Sequence, residues 1–359
     1  GDSTFANSNT VVLTDANSGW NNLGSFTVGD DGSGNVLIAS NGATILSSNA
    51  TIGAGTVIGN NNFMLLTGAG TVWSNQNKFV VGSFSFGNRL VISNGAALFN
   101  GNGLSVLGNS STANSNSITL TDAGTSWSSD GSLLVGSNGS MNRLVISNGA
   151  FVGDGFGVIA DRASSAGNEV VVTGPGSVWS NRFDCMVGDE GNGNRLVISN
   201  GAVVFADVGY VGTSSTSSSN LVVVTGGGST WTNADDLVIG DIGPGNRLVV
   251  SNGGKVQNLV GFIGLNTPSS NNTVLVTGPG SQWTMPNGAI FVCISTSVGN
   301  QLVISNGALA HCGQGWIGFD GSPGPNEVTV TGAGSTWSNS SGLTVGRLGD
   351  RTRLVVSNA

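Results

Sequence analysis

Acidic side chains in three glycine-rich loops are the residues of this chain whose spacing could do chemistry. In chain order the loops read G-D-D-G-S-G-N, G-D-E-G-N-G-N and G-D-I-G-P-G-N. Their carboxylates are the calcium candidates Asp30, Asp31, Asp189, Glu190 and Asp241. Calcium needs about six oxygen ligands, and the loops lack the G-G-x-G-x-D pattern of calcium-binding β-rolls. We therefore interpret them as solvated turn acids, with calcium as the weaker alternative.

No other set of residues indicates catalysis. His311 is the only histidine and has no counterpart in the repeats described below, and no G-x-S-x-G elbow supports a Ser-His-Asp site around it. A glycosidase would need two carboxylates about 5–10 Å apart in a cleft, and no such pair is singled out. We predict no catalytic residue, no bound metal and no cofactor. A polysaccharide-active enzyme is the least favoured alternative.

The three cysteines give no clear redox or metal signal. Cys185, Cys293 and Cys312 are odd in number and lack C-x-x-C spacing. We interpret them as small buried apolar residues, with a disulfide or a metal site as the alternative.

Two phrases alternate along the whole chain. N-R-L-V-I-S-N-G-A occupies residues 194–202 and returns from residues 88, 142, 246 and 300, with weaker copies at 35–43 and 351–359. Between these copies lies N-x-V-x-V-T-G-x-G-S-x-W, clearest at 168–179. The asparagines that begin the phrases are 26 to 28 residues apart. Such a fixed period is typical of solenoid proteins.

The repeat predicts an all-β, parallel β-helix of about 13–14 coils with about 26 residues a coil. Each coil has three strand signals, namely L-V-I-S, then A-x-V or S-x-W, then a segment ending in V-G. Asn-Gly supplies a left-handed corner after the first strand. We expect residues 1–359 to be one domain of seven double-coil repeats of 52–54 residues, the last one incomplete.

The leading asparagines are predicted to form a structural ladder. A carboxamide both donates and accepts hydrogen bonds, so each can bond to its counterpart on the next coil. The clearest members are Asn116, Asn142, Asn168, Asn194, Asn220 and Asn246. Strand alternation then directs the residues two and four positions later, such as Leu144 and Ile146, into the core.

One outward column is unexpectedly apolar. It lies two residues before the glycine of the V-G segment, which one coil replaces with cysteine. On six successive coils this position holds Met186, Tyr210, Val238, Phe262, Phe291 and Trp316. These six residues are called the aromatic stripe below. Side chains of this kind pair well along stacked strands. Because monomers seldom expose long apolar stripes, it is also a candidate contact surface for another copy or for a glycan.

Composition narrows the function classes. The net charge is −8 and only 8% of residues are charged, so no basic surface for nucleic acid is expected. No run of about 18 apolar residues is present, so we expect no transmembrane helix. Neither end carries a charged or helical cap, so either the chain continues or the ends meet other copies.

The two phrases together resemble the repeat of autotransporter-like and PEP-CTERM-associated bacterial surface proteins, over essentially the whole chain. The resemblance implies a right-handed β-helix exported to the cell surface or beyond, with no shared catalytic residues. We expect an extracellular structural or adhesive protein that associates with itself, end to end or side by side. The alternative is a monomeric adhesin that binds a surface glycan or protein through the aromatic stripe.

Overall fold

A computed structural model describes residues 1–55, 59–321 and 324–358, so Ala359, which ends the last repeat copy, lies outside the described residues. These residues form β-strands, turns and bends and no helix, and hence no helix long and apolar enough to cross a membrane. Contacts divide the chain into two compact units, unit 1 at Gly1–Arg182 and unit 2 at Phe183–Ala359. Each unit is a β-solenoid.

Unit 1 contains two kinds of strand. The first strand of each coil belongs to one parallel sheet: β1 (Thr10–Thr14), β3 (Val36–Ser40), β5 (Phe63–Thr67), β8 (Arg89–Ser93), β11 (Ser117–Thr121), β14 (Arg143–Ser147) and β17 (Glu169–Thr173). The other strands belong to a second parallel sheet: β2 (Gly19–Val28), β4 (Thr44–Ile52), β6 (Val72–Asn75), β7 (Phe79–Val81), β9 (Ala97–Asn100), β10 (Ser105–Leu107), β12 (Ser126–Ser129), β13 (Leu133–Val135), β15 (Phe151–Asp154), β16 (Gly157–Ile159) and β18 (Val178–Asn181).

Unit 2 has the same organisation. Its first strands are β20 (Arg195–Ser199), β23 (Leu221–Thr225), β26 (Arg247–Ser251), β29 (Thr273–Thr277), β31 (Gln301–Ser305), β33 (Glu327–Thr331) and β35 (Arg353–Ser357). The second sheet holds β19 (Cys185–Val187), β21 (Val203–Ala206), β22 (Gly209–Val211), β24 (Thr230–Asn233), β25 (Leu237–Ile239), β27 (Lys255–Gln257), β28 (Gly261–Ile263), β30 (Gln282–Val292), β32 (Leu309–Ile317) and β34 (Thr336–Val345).

Neighbouring coils align residue for residue. Arg143 of β14 lies beside Glu169 of β17, and Leu144 and Ile146 of β14 are fully buried. The Asn-Gly corners adopt the left-handed backbone that their sequence predicts; for example, φ is 54° at Asn94. The predicted all-β parallel β-helix with about 26 residues a coil is therefore confirmed. Its right-handed sense stays an implication of the resemblance, and the single domain over 1–359 stays a prediction.

Tryptophans alternate with smaller residues in one buried column. In unit 1, Trp127 lies between Leu98 and Val152, and all three are buried. An indole needs space beside it, and the third strand of the preceding coil has a small residue there: Gly157 precedes Trp179, and Ser105 occupies the corresponding position before Trp127. A Cβ added to Gly157 would lie 2.5 Å from Cζ2 of Trp179, a separation that side chains do not tolerate. Coils with tryptophan and coils without it are therefore complementary in shape, since the indole of one packs beside the small residue of the other.

Candidate functional site

The leading asparagines form a buried ladder within each unit. Asn116 Nδ2 donates to Asn142 Oδ1 over 3.1 Å, and the Asn116 backbone N–H donates to the same oxygen over 2.9 Å. In unit 2, Asn220 makes the same two bonds to Asn246, at 3.0 and 2.9 Å. These asparagines are fully buried. Their polar groups are engaged between coils, so they are not presented to a ligand.

The Asn-Gly corners reveal a contact that sequence reasoning missed. Asn94 Nδ2 donates to Thr67 Oγ1 of the preceding coil over 2.9 Å, and the Gly95 N–H donates to Thr125 Oγ1 of the following coil over 2.9 Å. Asn148 and Gly149 repeat this arrangement with Thr121 and Ser177. The hydroxyl residues in V-T-G-x-G-S-x-W are thus explained. Each of these Asn-Gly corners is therefore hydrogen-bonded to the V-T-G-x-G corners of the coil before it and the coil after it.

The aromatic stripe lies in one file of unit 2, but it is less exposed than alternation suggests. The file runs in register through β19, β22, β25, β28, β30 and β32. Val238 is only 2% exposed, so its prediction as a surface residue is wrong. It lies in register between Tyr210 and Phe262. The other five members, including Met186, are half-buried.

Three rings of the stripe stack on one another. Phe291 stacks on Phe262 with ring centroids 5.4 Å apart and on Trp316 at 6.2 Å, with interplanar angles of 14° and 5°. Phe319 contacts both Phe291 and Trp316 edge-on, and the Arg347 guanidinium lies 4.5 Å from the Phe319 centroid. Both faces of Phe291 are therefore occupied. A sugar ring that needs an open aromatic face would not find one on this residue.

The calcium candidates do not gather into a site. Among the residues that the structure describes, no three His, Cys, Asp or Glu side chains lie close enough together to hold a metal ion. Asp189 Oδ1 accepts a hydrogen bond from Thr213 over 2.6 Å, and Asp241 Oδ1 accepts one from Asn266 over 2.6 Å. In the other unit, burial and then the charge of neighbouring Asp31 raise the pKa of Asp30. The first two carboxylates thus bond to neighbouring coils.

His311 and the three cysteines belong to no cluster of three potential metal ligands among the residues that the structure describes. His311 lies in register between Thr284 and Ser338. The three cysteines are buried and form no disulfide. The Cys312 thiol donates to Asn339 Oδ1 over 3.0 Å, and burial raises the pKa of that thiol. It therefore stays protonated at neutral pH and is a weak nucleophile.

Asp154 is a buried acid that sequence reasoning missed. It is 4% exposed, its Oδ2 accepts a 2.7 Å hydrogen bond from Trp179 Nε1, and its Oδ1 has no partner. Burial raises its pKa to about 7, although the Trp179 hydrogen bond lowers it. The corresponding positions on neighbouring coils are Ser129 and Asn181. Alignment of the repeats could have revealed an acid in a file of neutral residues.

The outer face of unit 1 carries an exposed apolar file. Leu46 and Phe99 are 45% and 46% exposed, and they alternate in register with Ser74 and Ser128. Gly153 occupies the next place, where the half-exposed ring of Phe151 covers it; a Cβ added to Gly153 would lie 2.9 Å from that ring. Leu46, Phe99 and Phe151, with the serines between them, form what we call the notched face.

Comparison with known proteins does not assign this chain to a family. No protein-family model and no curated protein match the sequence. One solved structure that it resembles is described as the crystal structure of a TibC-catalyzed hyper-glycosylated TibA55-350 fragment. The two chains are 14% identical, the alignment covers 93% of this chain and 100% of that one, and the TM-score is 0.27. A TM-score this low carries no argument about function.

Proposed function

We propose that the protein is a non-enzymatic structural protein of the cell surface or extracellular space, and that its copies associate side by side. Its buried polar groups are largely engaged between coils, as in the pairing of Asn116 with Asn142. The surface-protein resemblance and the low charge of 8% fit this role. Nucleic acid is not a partner, because a net charge of −8 repels phosphate.

The notched face carries the proposal. Leu46 and Phe99 leave about half of each side chain in water, although exposing apolar area costs about 25 cal/mol per Å². They recur on every second coil, roughly 10 Å apart. An apolar file at a fixed spacing is unusual on a monomer and indicates a contact surface.

The shape of this face is complementary to itself. A small serine, Ser74 or Ser128, separates each bulky side chain from the next. A second copy shifted by one coil, roughly 5 Å, would place its Leu46 and Phe99 over the serines of the first. Two such faces would interlock and bury the apolar side chains of both copies.

The glycan-binding alternative receives less support from the aromatic stripe. Aromatic platforms for ligands need an accessible ring face, and Phe291 has one neighbouring ring on each side. We therefore place the contact surface on the notched face rather than on the stripe. An adhesive role for the assembled protein stays compatible with this proposal.

Sedimentation velocity over a range of protein concentrations, with electron microscopy of the same samples, tests the proposal. We expect the unaltered protein to form oligomers or fibres. A variant carrying Leu46→Ser, Phe99→Ser and Phe151→Ser should remain a monomer, because the apolar side chains that association would bury are gone.

Phe84→Ser with Phe86→Ser is the matched control. These phenylalanines are 45% and 50% exposed, but they lie on the loop between β7 and β8. The control should assemble like the unaltered protein. Assembly of the triple variant would show that the notched face is not the interface, and a strictly monomeric unaltered protein would overturn self-association itself.

A further inference from the structure

Unit 1 contains six Asn-Gly pairs, at Asn41, Asn94, Asn100, Asn102, Asn138 and Asn148. Asn-Gly is the peptide sequence most prone to spontaneous deamidation. The glycine nitrogen attacks the asparagine Cγ, ammonia leaves, and a succinimide forms. Water then opens the succinimide to aspartate or isoaspartate. The reaction needs no enzyme and only water, but the glycine N–H must be free to approach Cγ.

Five of the six glycine N–H groups are held by hydrogen bonds to a neighbouring coil. Those of Gly42, Gly95 and Gly149 donate to Thr71, Thr125 and Ser177 hydroxyls over 2.9–3.0 Å. The Gly101 N–H donates to the Asn75 carbonyl oxygen over 2.9 Å, and the Gly139 N–H donates to that of Gly108 over 3.1 Å. Each would have to break its bond before it could attack.

At the three corners the asparagine side chain is restrained as well. The Nδ2 groups of Asn41, Asn94 and Asn148 each donate to a threonine of the preceding coil, over 2.9–3.1 Å. Their backbones are fixed in the left-handed region, with φ near 55°. Nucleophile and electrophile are thus held at once by two different coils.

Asn102 is the exception. It is exposed, in the loop between β9 and β10, and within the described part of the chain the Gly103 N–H has no hydrogen-bond partner. We infer that Asn102 is the spontaneous modification site of unit 1, and that the contacts between coils protect the other five pairs. Each event would replace a neutral amide with a carboxylate. In a structural protein that persists outside the cell, such charges would accumulate with age.

Peptide mapping that separates isoaspartate from aspartate tests this inference on folded protein kept at mildly alkaline pH. We expect Asn102 to react at least about tenfold faster than Asn94 or Asn148, because a bonded amide reacts only when the structure opens locally. In protein unfolded by concentrated urea, these three sites should react at similar rates, since all are Asn-Gly. Equal rates in the folded protein would overturn the inference.

Ser177→Ala gives the sharper test, because it removes the acceptor of the Gly149 N–H and leaves Asn102 and Asn94 untouched. Deamidation at Asn148 should then accelerate by about tenfold or more in the folded protein, while Asn94 stays slow. A rise at Asn94 as well would mean that the variant has unfolded, and Ser177→Thr, which keeps the hydroxyl, would then be compared. No change at Asn148 in a folded variant would overturn protection by the corner hydrogen bond.

Discussion

At the scale of single residues, Asp154 is the clearest departure from the repeat. The corresponding residues of the neighbouring coils are neutral, and Asp154 is the one buried carboxyl group in the described part of unit 1. Asp130 and Arg182 line the same surface pocket as Asp154, but both are exposed, and they are 3.8 Å apart at their closest polar atoms. Asp154 is therefore left with a single hydrogen bond and no charged partner in the core.

Asp154 makes the stability of unit 1 depend on pH. Its pKa is raised from the ordinary 3.8 to about 7 when folded, so the folded state holds a proton that the unfolded state releases. Stability is greatest below the unfolded pKa and falls as pH rises to about 7. The free energy of unfolding should drop by roughly 4 kcal/mol over this range. Denaturant unfolding at about pH 5 and about pH 8 would capture roughly 3 kcal/mol of this change, because the remainder is lost below pH 5.

Asp154→Asn should remove most of that decline. A carboxamide can still accept the Trp179 N–H and has no charge to bury, so the variant should be more stable than the unaltered protein at about pH 8 by roughly 1–4 kcal/mol. Asp130→Asn is the control, because Asp130 is exposed and should change little. A decline of unchanged size in the Asp154 variant would show that another group is responsible.

At the scale of the element, a pair of coils is the smallest segment that could be deleted without placing two coils of the same kind side by side. An Asn-Gly corner offers two donors, and its two neighbours supply a threonine acceptor on one side and a Thr or Ser acceptor on the other. Tryptophan coils likewise lie beside coils that have glycine or another small residue in the third strand. Two coils of the same kind placed side by side would lose the corner bonds and crowd their tryptophans.

Deleting coils in unit 1 tests this pairing. Removing residues 88–141 takes out one coil of each kind and joins two coils that are still unlike, so the protein should keep cooperative unfolding. Removing residues 88–115 takes out one coil and places Trp73 beside Trp127. We expect this shorter deletion to destabilise the protein far more than the longer one, by several kcal/mol, because it creates overpacking and unsatisfied corner groups. Thermal unfolding followed by circular dichroism would compare them, and similar melting temperatures would contradict the pairing rule.

At the scale of the whole molecule, net charge opposes the proposed association. Copies that each carry −8 repel one another, while the contacts of the notched face are apolar and nearly independent of salt. Salt screens charges over about 10 Å at 0.1 M. Association should therefore strengthen as salt is added and as pH falls towards the acid range, where carboxylates are protonated.

Light scattering along a salt series at fixed protein concentration measures this dependence. The variant with serine at positions 46, 99 and 151 should show a much smaller rise than the unaltered protein. If association instead weakened with salt, ion pairs rather than apolar contacts would hold the copies together. The notched face would then be the wrong interface.

Much of this protein follows from its sequence alone. A period of 26 to 28 residues, with asparagine at one place and aliphatic residues two and four positions later, determined the coil, the ladder and the core. These features repeat, and strand alternation converts a repeat directly into a stacked column. The left-handed Asn-Gly corners were equally readable, because the preference of those residues is local.

Only the tertiary structure decided which of the outward side chains are accessible to solvent or to a partner. Alternation directs Val238 outward, yet it is 2% exposed, and Phe291 is outward but has a ring on each face. Exposure depends on the sizes of neighbours from other coils, which are distant in sequence. The partners of the corner hydroxyls and the isolation of Asp154 arise in the same way. The sequence determines the order of each column, and packing between coils determines what each column can do.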